Sequence, residues 1–346
     1  MQALILAGGK GTRLRPLTLY TPKPIVPVVN RPLILYQIEI LRRSGITDIT
    51  LSLSYQPDKI EQSIGDGSDH GVKIRYVTEA SPMGTGGAYR FAIESGGETT
   101  IVFNGDILTD LDITKLIEFH KANNAAATLT LAPVADPSRY GLVPVDKDGR
   151  ITRFLEKPSA DDLARLDINT INAGVYVFEP EILESIPRDI NRSFEYEVFP
   201  EILAQQKAFF GYVMKDEYWL DIGTPASYLQ AHHDFLDGKI RGFESANANP
   251  SDIATRAEVD KTSIIGEDCT IKPGAKVNNS VIGRGVHIEE KAVVENSVIW
   301  SHTRIAAGAE ISASIIGRSC HIGRNAVVGE GSVIGDKTSL TDYTRV

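Results

Sequence analysis

The chain has 346 residues, and at roughly 150 residues per domain that corresponds to about two domains. Hydrophobic residues are 42% and charged residues 23%, ordinary globular usage that excludes disordered, collagen-like and low-complexity readings. With 36 basic and 45 acidic side chains the formal charge is −9, which argues against coating nucleic acid or binding anionic lipid. The two cysteines, Cys269 and Cys320, lie 51 positions apart. That is neither a disulfide framework nor a zinc spacing, and it points to a reducing, cytoplasmic setting. No apolar run reaches the roughly 18 residues of a membrane span. The apolar start Met1 to Ala7 has no basic segment before it, so it reads as a buried first strand rather than a signal peptide.

Residues 1 to about 240 alternate short apolar runs with helical patterns. Strands are expected at Ala3–Leu6, Ile49–Leu53, Val72–Val77, Ile101–Phe103, Ala127–Leu131, Gly174–Phe178 and Phe209–Val213. Helices are expected at Leu33–Arg43, with Gly45 as its C-terminal cap, at Ala88–Glu94 and at Ile113–Ala122. Strands alternating with helices imply a Rossmann-like α/β domain with a mostly parallel sheet.

The polar stretch Arg241–Ala257, which contains Asn249-Pro250, reads as a linker. Beyond it isoleucine, valine and glycine dominate, and a block recurs. Ser263-Ile264-Ile265-Gly266, Ser280-Val281-Ile282-Gly283, Ser297-Val298-Ile299-Trp300 and Ser314-Ile315-Ile316-Gly317 follow one another by 17 residues, and Ser332-Val333-Ile334-Gly335 comes after 18. Within the 17-residue coils aliphatic residues step by six, six and five, as in Ile265, Ile271, Val277 and Ile282, and the last coil steps by six throughout, at Ile316, Ile322, Val328, Ile334 and Leu340. Three inward aliphatics per coil mean three flat faces per turn, a solenoid of stacked parallel strands. The repeat resembles the hexapeptide repeats of a left-handed parallel β-helix, here expected over 258–346, after a first domain over 1–240.

Local charge singles out the N-terminus. Residues 1–38 contain no Asp or Glu but hold Lys10, Arg13, Arg15, Lys23 and Arg31, a cationic segment suited to a small polyanion. A solvated basic face is the plain alternative. Glycines among the charges favour the polyanion. Ala7-Gly8-Gly9-Lys10-Gly11-Thr12-Arg13-Leu14-Arg15-Pro16-Leu17-Thr18 follows the first strand directly, and glycines there let backbone N–H groups approach phosphate oxygens. A dinucleotide fingerprint fails because Leu14 stands where its third glycine belongs. A Walker loop fails because Lys10 is followed by Gly11 rather than Ser or Thr.

The segment resembles the G-G-x-G-T-R-L-x-P-L-T signature of the sugar-phosphate nucleotidylyltransferases. Further elements of that family follow in order: Thr21-Pro22-Lys23-Pro24, Gly84-Thr85-Gly86-Gly87-Ala88, Asn104-Gly105-Asp106, Glu156-Lys157-Pro158, Asn172-Ala173-Gly174-Val175-Tyr176 and Trp219-Leu220-Asp221-Ile222-Gly223-Thr224-Pro225. The resemblance implies attack of a sugar 1-phosphate oxygen on the α-phosphorus of a nucleoside triphosphate, releasing pyrophosphate. Leu6, Ala7, Gly8, Gly9, Gly11, Thr12, Pro82, Gly84, Thr85 and Gly86 would then line the nucleotide. Arg13 and Lys23 would grip its phosphates, and Asp106 and Asp221 would hold Mg²⁺. Lys157 would bind the sugar phosphate, with Glu156, Asn172, Gly141 beside Tyr140, and Gly174 around the sugar. Lys10, Arg15 and Arg31 would shape the field.

The Pro82–Ala88 loop looks like that of mannose-1-phosphate guanylyltransferases, and no Gln occurs between Glu79 and Arg90. GTP with mannose 1-phosphate is therefore the expected pair. A manno-heptose phosphate with GTP, or glucose 1-phosphate with UTP or dTTP, stays open, as does a non-catalytic regulatory subunit. The β-helix suggests homo-oligomer contacts, with Trp300, at a glycine position of its repeat, as a candidate contact. His287, His302 and His321 leave acyl transfer as a further alternative.

Overall fold

The computed structural model describes residues 1–93, 97–166, 168–243 and 252–346. Glu94, the expected end of one helix, and the Asn249-Pro250 centre of the expected linker lie outside them. The chain forms two compact bodies, Met1–Gly9 with Tyr36–Trp219, and Lys10–Leu35 with Leu220–Val346. These bodies cut the chain elsewhere than at the change of periodicity near 241–257, because 26 residues of the glycine-rich N-terminal segment group with the β-helix half.

The first body is built on nine strands. They are β1 (Gln2–Leu6), β2 (Asp48–Leu53), β3 (Lys73–Thr78), β4 (Thr100–Asn104), β5 (Ala127–Pro133), β6 (Gly141–Leu142), β7 (Leu155–Glu156), β8 (Thr170–Phe178) and β9 (Phe209–Val213). Their order is β7-β6-β8-β4-β1-β2-β3, with β5 pairing β8 and β9. β1 runs parallel to β2 and β4, β2 to β3, and β5 to β9. β8 runs antiparallel to both β4 and β5, so the sheet is mixed. The central strands are covered on both faces, and Leu4, Ile5, Leu51, Leu53, Val102 and Phe103 are fully enclosed. That is why they read as continuous apolar runs rather than alternating ones.

Helix α1 (Leu33–Arg43) has the expected bounds, and Gly45 ends it at φ +79°, the left-handed cap that glycine takes without a Cβ clash. Helix α3 (Ile113–Ala122) also has its expected bounds, and Asp112 caps it by accepting from the Lys115 amide. Helix α2 (Gly84–Ala92) starts four residues before the expected Ala88. Three glycines in its first turn hide it, because glycine is a poor helix former. An aromatic core of Tyr89, Tyr176, Phe178, Phe194 and Phe199 fastens it to the sheet, with Phe178 and Phe194 centroids 5.2 Å apart.

The second body contains the solenoid. Its three parallel ladders repeat the expected spacing, with Ile265, Ile282, Ile299 and Ile316 in one column and Ile271, Ile288, Ile305 and Ile322 in the next. All eight are buried, as are both cysteines, which fill the core. The recurring serines form a ladder. The amides of Ser280, Ser297 and Ser314 donate to the hydroxyl one coil earlier, at 3.0–3.1 Å. The glycines that close the blocks at Gly266 and Gly283 are steric. A Cβ on Gly283 would lie 2.6 Å from the Ser301 nitrogen, and one on Gly266 2.7 Å from the Arg284 nitrogen.

Helix α4 (Pro225–Leu236) belongs to this body and is capped by Thr224. Its His232 is 1% exposed, with Nδ1 2.8 Å from the Tyr228 carbonyl. Burial pushes this imidazole down to about 4, and the neighbouring His233 charge adds to the effect. The folded protein therefore resists a proton that the unfolded chain accepts near pH 6.5. Stability should be full above that pH and should fall as pH drops from 6.5 to about 4, by about 3 kcal/mol for this group. His232→Gln should flatten that part of the profile in thermal melts at stepped pH. An unchanged slope would show that His232 does not carry it.

Candidate active site

The expected site residues divide between the two bodies. In the first, β1 delivers the start of the glycine loop. Its Leu6 carbonyl accepts from the Gly105 amide at 2.9 Å, and the Ala7 amide donates to the Ser52 carbonyl at 2.8 Å. A Cβ on Gly105 would lie 2.8 Å from the Leu6 oxygen, so glycine there lets the Asn104–Asp106 turn press against the loop. Gln37 Nε2 donates to the carbonyls of Asn104 and Ile107, at 2.9 and 2.8 Å, and holds both ends of that turn. Asp106 is thus fixed beside the root of the glycine loop. Ser54 Oγ donates to the Gly8 carbonyl at 2.5 Å. Nothing lies within 4 Å of where a Gly9 Cβ would stand.

The Pro82–Gly87 loop faces residues 190–195. The amides of Gly86 and Gly87 donate to the Arg192 carbonyl at 2.9 and 3.0 Å, and the Arg192 amide returns a bond to Met83. Thr85 Oγ1 donates to Glu195 and accepts from the Phe194 amide. A Cβ on Gly84 would lie 2.4 Å from the Arg192 oxygen, and one on Gly87 2.5 Å from the Ile190 oxygen. These two glycines are therefore required by packing, independently of any base they might read, and the Gly86 and Gly87 amides already have partners. Glu79 also holds the loop, accepting from Ser52 Oγ at 2.9 Å and from the Met83 amide at 3.1 Å. Ser52, which holds Glu79, and Glu195, which holds Thr85, escaped the sequence reading because each comes from a distant part of the chain.

The expected sugar-side residues also gather in the first body. Gly141 pairs with Glu156 across β6 and β7, and a Gly141 Cβ would lie 2.9 Å from Glu156 Oε2. Burial raises the Glu156 carboxyl, with the Glu195 charge adding and Lys157 opposing. Lys157 is exposed and takes φ +49° immediately before Pro158, a conformation disfavoured for a non-glycine and uncommon before proline. Asn172 Nδ2 donates to the Tyr176 hydroxyl at 3.0 Å, and its Oδ1 accepts from the Gly174 amide at 3.1 Å. Asn104 Nδ2 donates to the same hydroxyl at 3.3 Å, which joins this cluster to the Asp106 turn. Trp219 Nε1 donates to the Ala173 carbonyl at 2.7 Å, and its ring meets Tyr140 edge-on at 5.5 Å.

In the second body, Gly11 turns at φ +60° before a short Thr12–Leu14 turn anchored by buried Leu14. A Gly11 Cβ would lie 3.0 Å from the Lys23 Cβ, and Thr18 Oγ1 donates to the Gly11 carbonyl at 2.6 Å. Glycine thus lets the loop close over Lys23, whose side chain is 9% exposed. Asp221 faces two cations, Arg13 Nη2 and Lys23 Nζ, each at 3.8 Å. A Gly223 Cβ would lie 2.9 Å from Arg13 Nη2, so this glycine makes room for the guanidinium. Arg31 Nη2 donates to the Leu35 carbonyl, a structural use. His287, His302 and His321 are all exposed on the solenoid.

Comparison with known proteins divides the chain between residues 238 and 246 instead, at the change of periodicity. Residues 2–238 match the nucleotidyl transferase family, and residues 246–346 match the EIF2B subunit epsilon LbH domain. A mannose-1-phosphate guanylyltransferase of Mycobacterium tuberculosis is 38% identical over 307 residues, covering 85% of this chain and 83% of that one. A mannose-1-phosphate guanyltransferase of Pichia angusta is 33% identical over 356 residues, covering 97% and 93%. The structure of HddC from Yersinia pseudotuberculosis complexed with GMP-PN is 34% identical with TM-score 0.56, covering 68% of this chain and 99% of that one. A putative glucose-1-phosphate thymidylyltransferase of Bacillus anthracis shares the fold, with TM-score 0.61 at 24% identity, covering 71% and 98%.

Proposed function

This chain belongs to the nucleotidyl transferase family, and on that premise we propose that it transfers the nucleotidyl group of GTP to mannose 1-phosphate, releasing pyrophosphate. The observation that carries the reading is the cluster of Arg13 and Lys23, from the glycine-rich segment and the turn after it, around the carboxylate of Asp221. The attacking phosphate oxygen is already ionised, so no general base is needed. The residues have to align the two substrates and neutralise charge in an in-line displacement. Arg13, with a planar fork and a side chain 66% exposed, suits bidentate grip of the triphosphate. Lys23, stiffened by Pro22 and Pro24, holds a fixed charge near the α-phosphate. Gly8, Gly9, Gly11 and Thr12 line the phosphate path. Lys157 binds the phosphate of the sugar phosphate, and Glu156 and Asn172 accept from and donate to sugar hydroxyls.

Asp106 and Asp221 would hold Mg²⁺. Their oxygen donors suit that ion, which favours one or two carboxylates with phosphate oxygens and water completing the shell. Bound there, Mg²⁺ would supply charge neutralisation on the phosphates. The choice of guanine and mannose rests on the Pro82–Ala88 resemblance and on the guanylyltransferase names of the relatives.

The test is pyrophosphate release with Mg²⁺, using GTP, UTP, dTTP, ATP and CTP each against mannose 1-phosphate and glucose 1-phosphate. The expected strongest signal is GTP with mannose 1-phosphate, lost on chelation with EDTA. A stronger signal for another pair would keep the reaction and overturn the specificity. No release from any pair would favour the regulatory subunit.

A further inference from the structure

The segment that carries Lys23 is gripped by the β-helix. Pro27–Val28 and Arg31–Pro32 pair as a small hairpin, and Val29 and Asn30 turn it at φ +47° and +62°. A β-branched residue at positive φ is strained and persists only where its surroundings hold it. Asn30 Nδ2 donates to the Ile282 carbonyl of the solenoid at 2.9 Å. The Tyr228 hydroxyl on α4 donates to the Pro27 carbonyl and accepts from Trp300 Nε1, the latter at 2.8 Å. Trp300 is 2% exposed and Tyr228 fully buried. Arg318 lies over the Trp300 ring at 5.4 Å, and His233 Nε2 lies 3.1 Å from the Asn296 carbonyl. On the other side of Lys23, a Gly335 Cβ would stand 3.0 Å from Pro16, and Lys337 lies 5.7 Å from the Tyr20 ring centre. Trp300, the candidate self-association residue of the sequence, is thus occupied within its own chain.

We propose that Trp300 and Tyr228 are positioning residues, which fix the Pro27 carbonyl and through it the turn that aims Lys23. Only three residues separate Lys23 from Pro27. Pro22, Pro24 and Pro27 each lock φ, and the Val26 amide donates to the Lys23 carbonyl at 3.1 Å. A shift at Pro27 therefore reaches Lys23 with little loss. This gives a reason for the tryptophan that interrupts the glycine series of the solenoid. Gly266, Gly283, Gly317 and Gly335 close their blocks without a side chain, whereas Trp300 brings a long donor that ends on the hydroxyl holding Pro27.

The kinetic half of this inference rests on the nucleotidyl-transfer reading, and the structural half does not. The experiment uses the full chain with Trp300→Phe, Tyr228→Phe and the double variant. Hydrogen exchange of residues 25–33 should quicken about fivefold or more in each single variant, and the double should be no worse, since both cut one relay. The kcat for pyrophosphate release should fall about tenfold, with KM for the sugar phosphate within about twofold of wild type. Unchanged exchange over 25–33, or faster exchange with unchanged kcat, would overturn the assignment, as would a lowered Tm with neither effect. If the wild type itself were silent with every nucleotide, the enzymatic reading would fall, and exchange alone would decide whether the relay holds this segment.

Discussion

Asp221→Asn should lower kcat at least about a hundredfold, equivalent to about 3 kcal/mol of transition-state stabilisation. The substitution keeps the side-chain shape and removes the charge that Arg13 and Lys23 share, each at 3.8 Å. Lys23 is nearly enclosed, so its charge loses much of its balance, and the pair of cations should spread and lose register with the phosphates. Asp106→Asn should cost a similar factor by a different route. Asp106 stands on a turn pinned by Gly105 and Gln37, so its loss should leave the fold and Tm unchanged and raise the Mg²⁺ concentration needed for half-maximal rate. Steady-state kinetics across a Mg²⁺ series, with thermal melts on the same samples, separates the two. Activity within about threefold of wild type for either variant would remove that aspartate from the site.

Two glycines should respond in opposite ways to the same added methyl group. Gly9→Ala should fold with unchanged Tm, because nothing lies within 4 Å of its Cβ and its backbone is not left-handed. It should nonetheless raise the KM for the nucleotide or lower kcat about a hundredfold, since that Cβ would occupy space kept for a phosphate. Gly84→Ala should instead destabilise the protein. Its φ of +70° costs an L-residue about 1–2 kcal/mol, and its Cβ would meet the Arg192 oxygen at 2.4 Å. Melting curves and nucleotide KM values for the pair decide the matter. Full activity in Gly9→Ala would show that no phosphate passes over that residue.

Burial on both faces makes the strands legible in the sequence, and packing against a distant backbone hides one helix. β1, β2 and β4 are enclosed on both faces, so burial wrote itself into their composition. α3 shows a 3.6-residue rhythm because one face, with buried Ile113, Leu116 and His120, meets β5 and β9. α2 opens with Gly84, Gly86 and Gly87, whose reason is the backbone of residues 190–192 pressed against them. No local pattern carries that information.

The solenoid was readable from 258 onward, since each coil packs only on its neighbours and every inward position must be filled alike, but its first strand, Asp252–Ile253, pairs with Thr270–Ile271 inside the stretch expected to be a linker. The motifs were readable too, because loop chemistry beside phosphates needs particular residues at fixed spacing. Contacts between distant segments were not readable. Glu195 on the Thr85 hydroxyl, Arg192 on Gly86 and Gly87, and Trp300 on Tyr228 each join residues that no local pattern links. Composition and spacing report what a residue can do and which local shape it favours. The choice of partner is made when folding brings surfaces together, where close packing and the need to satisfy buried polar groups select one arrangement.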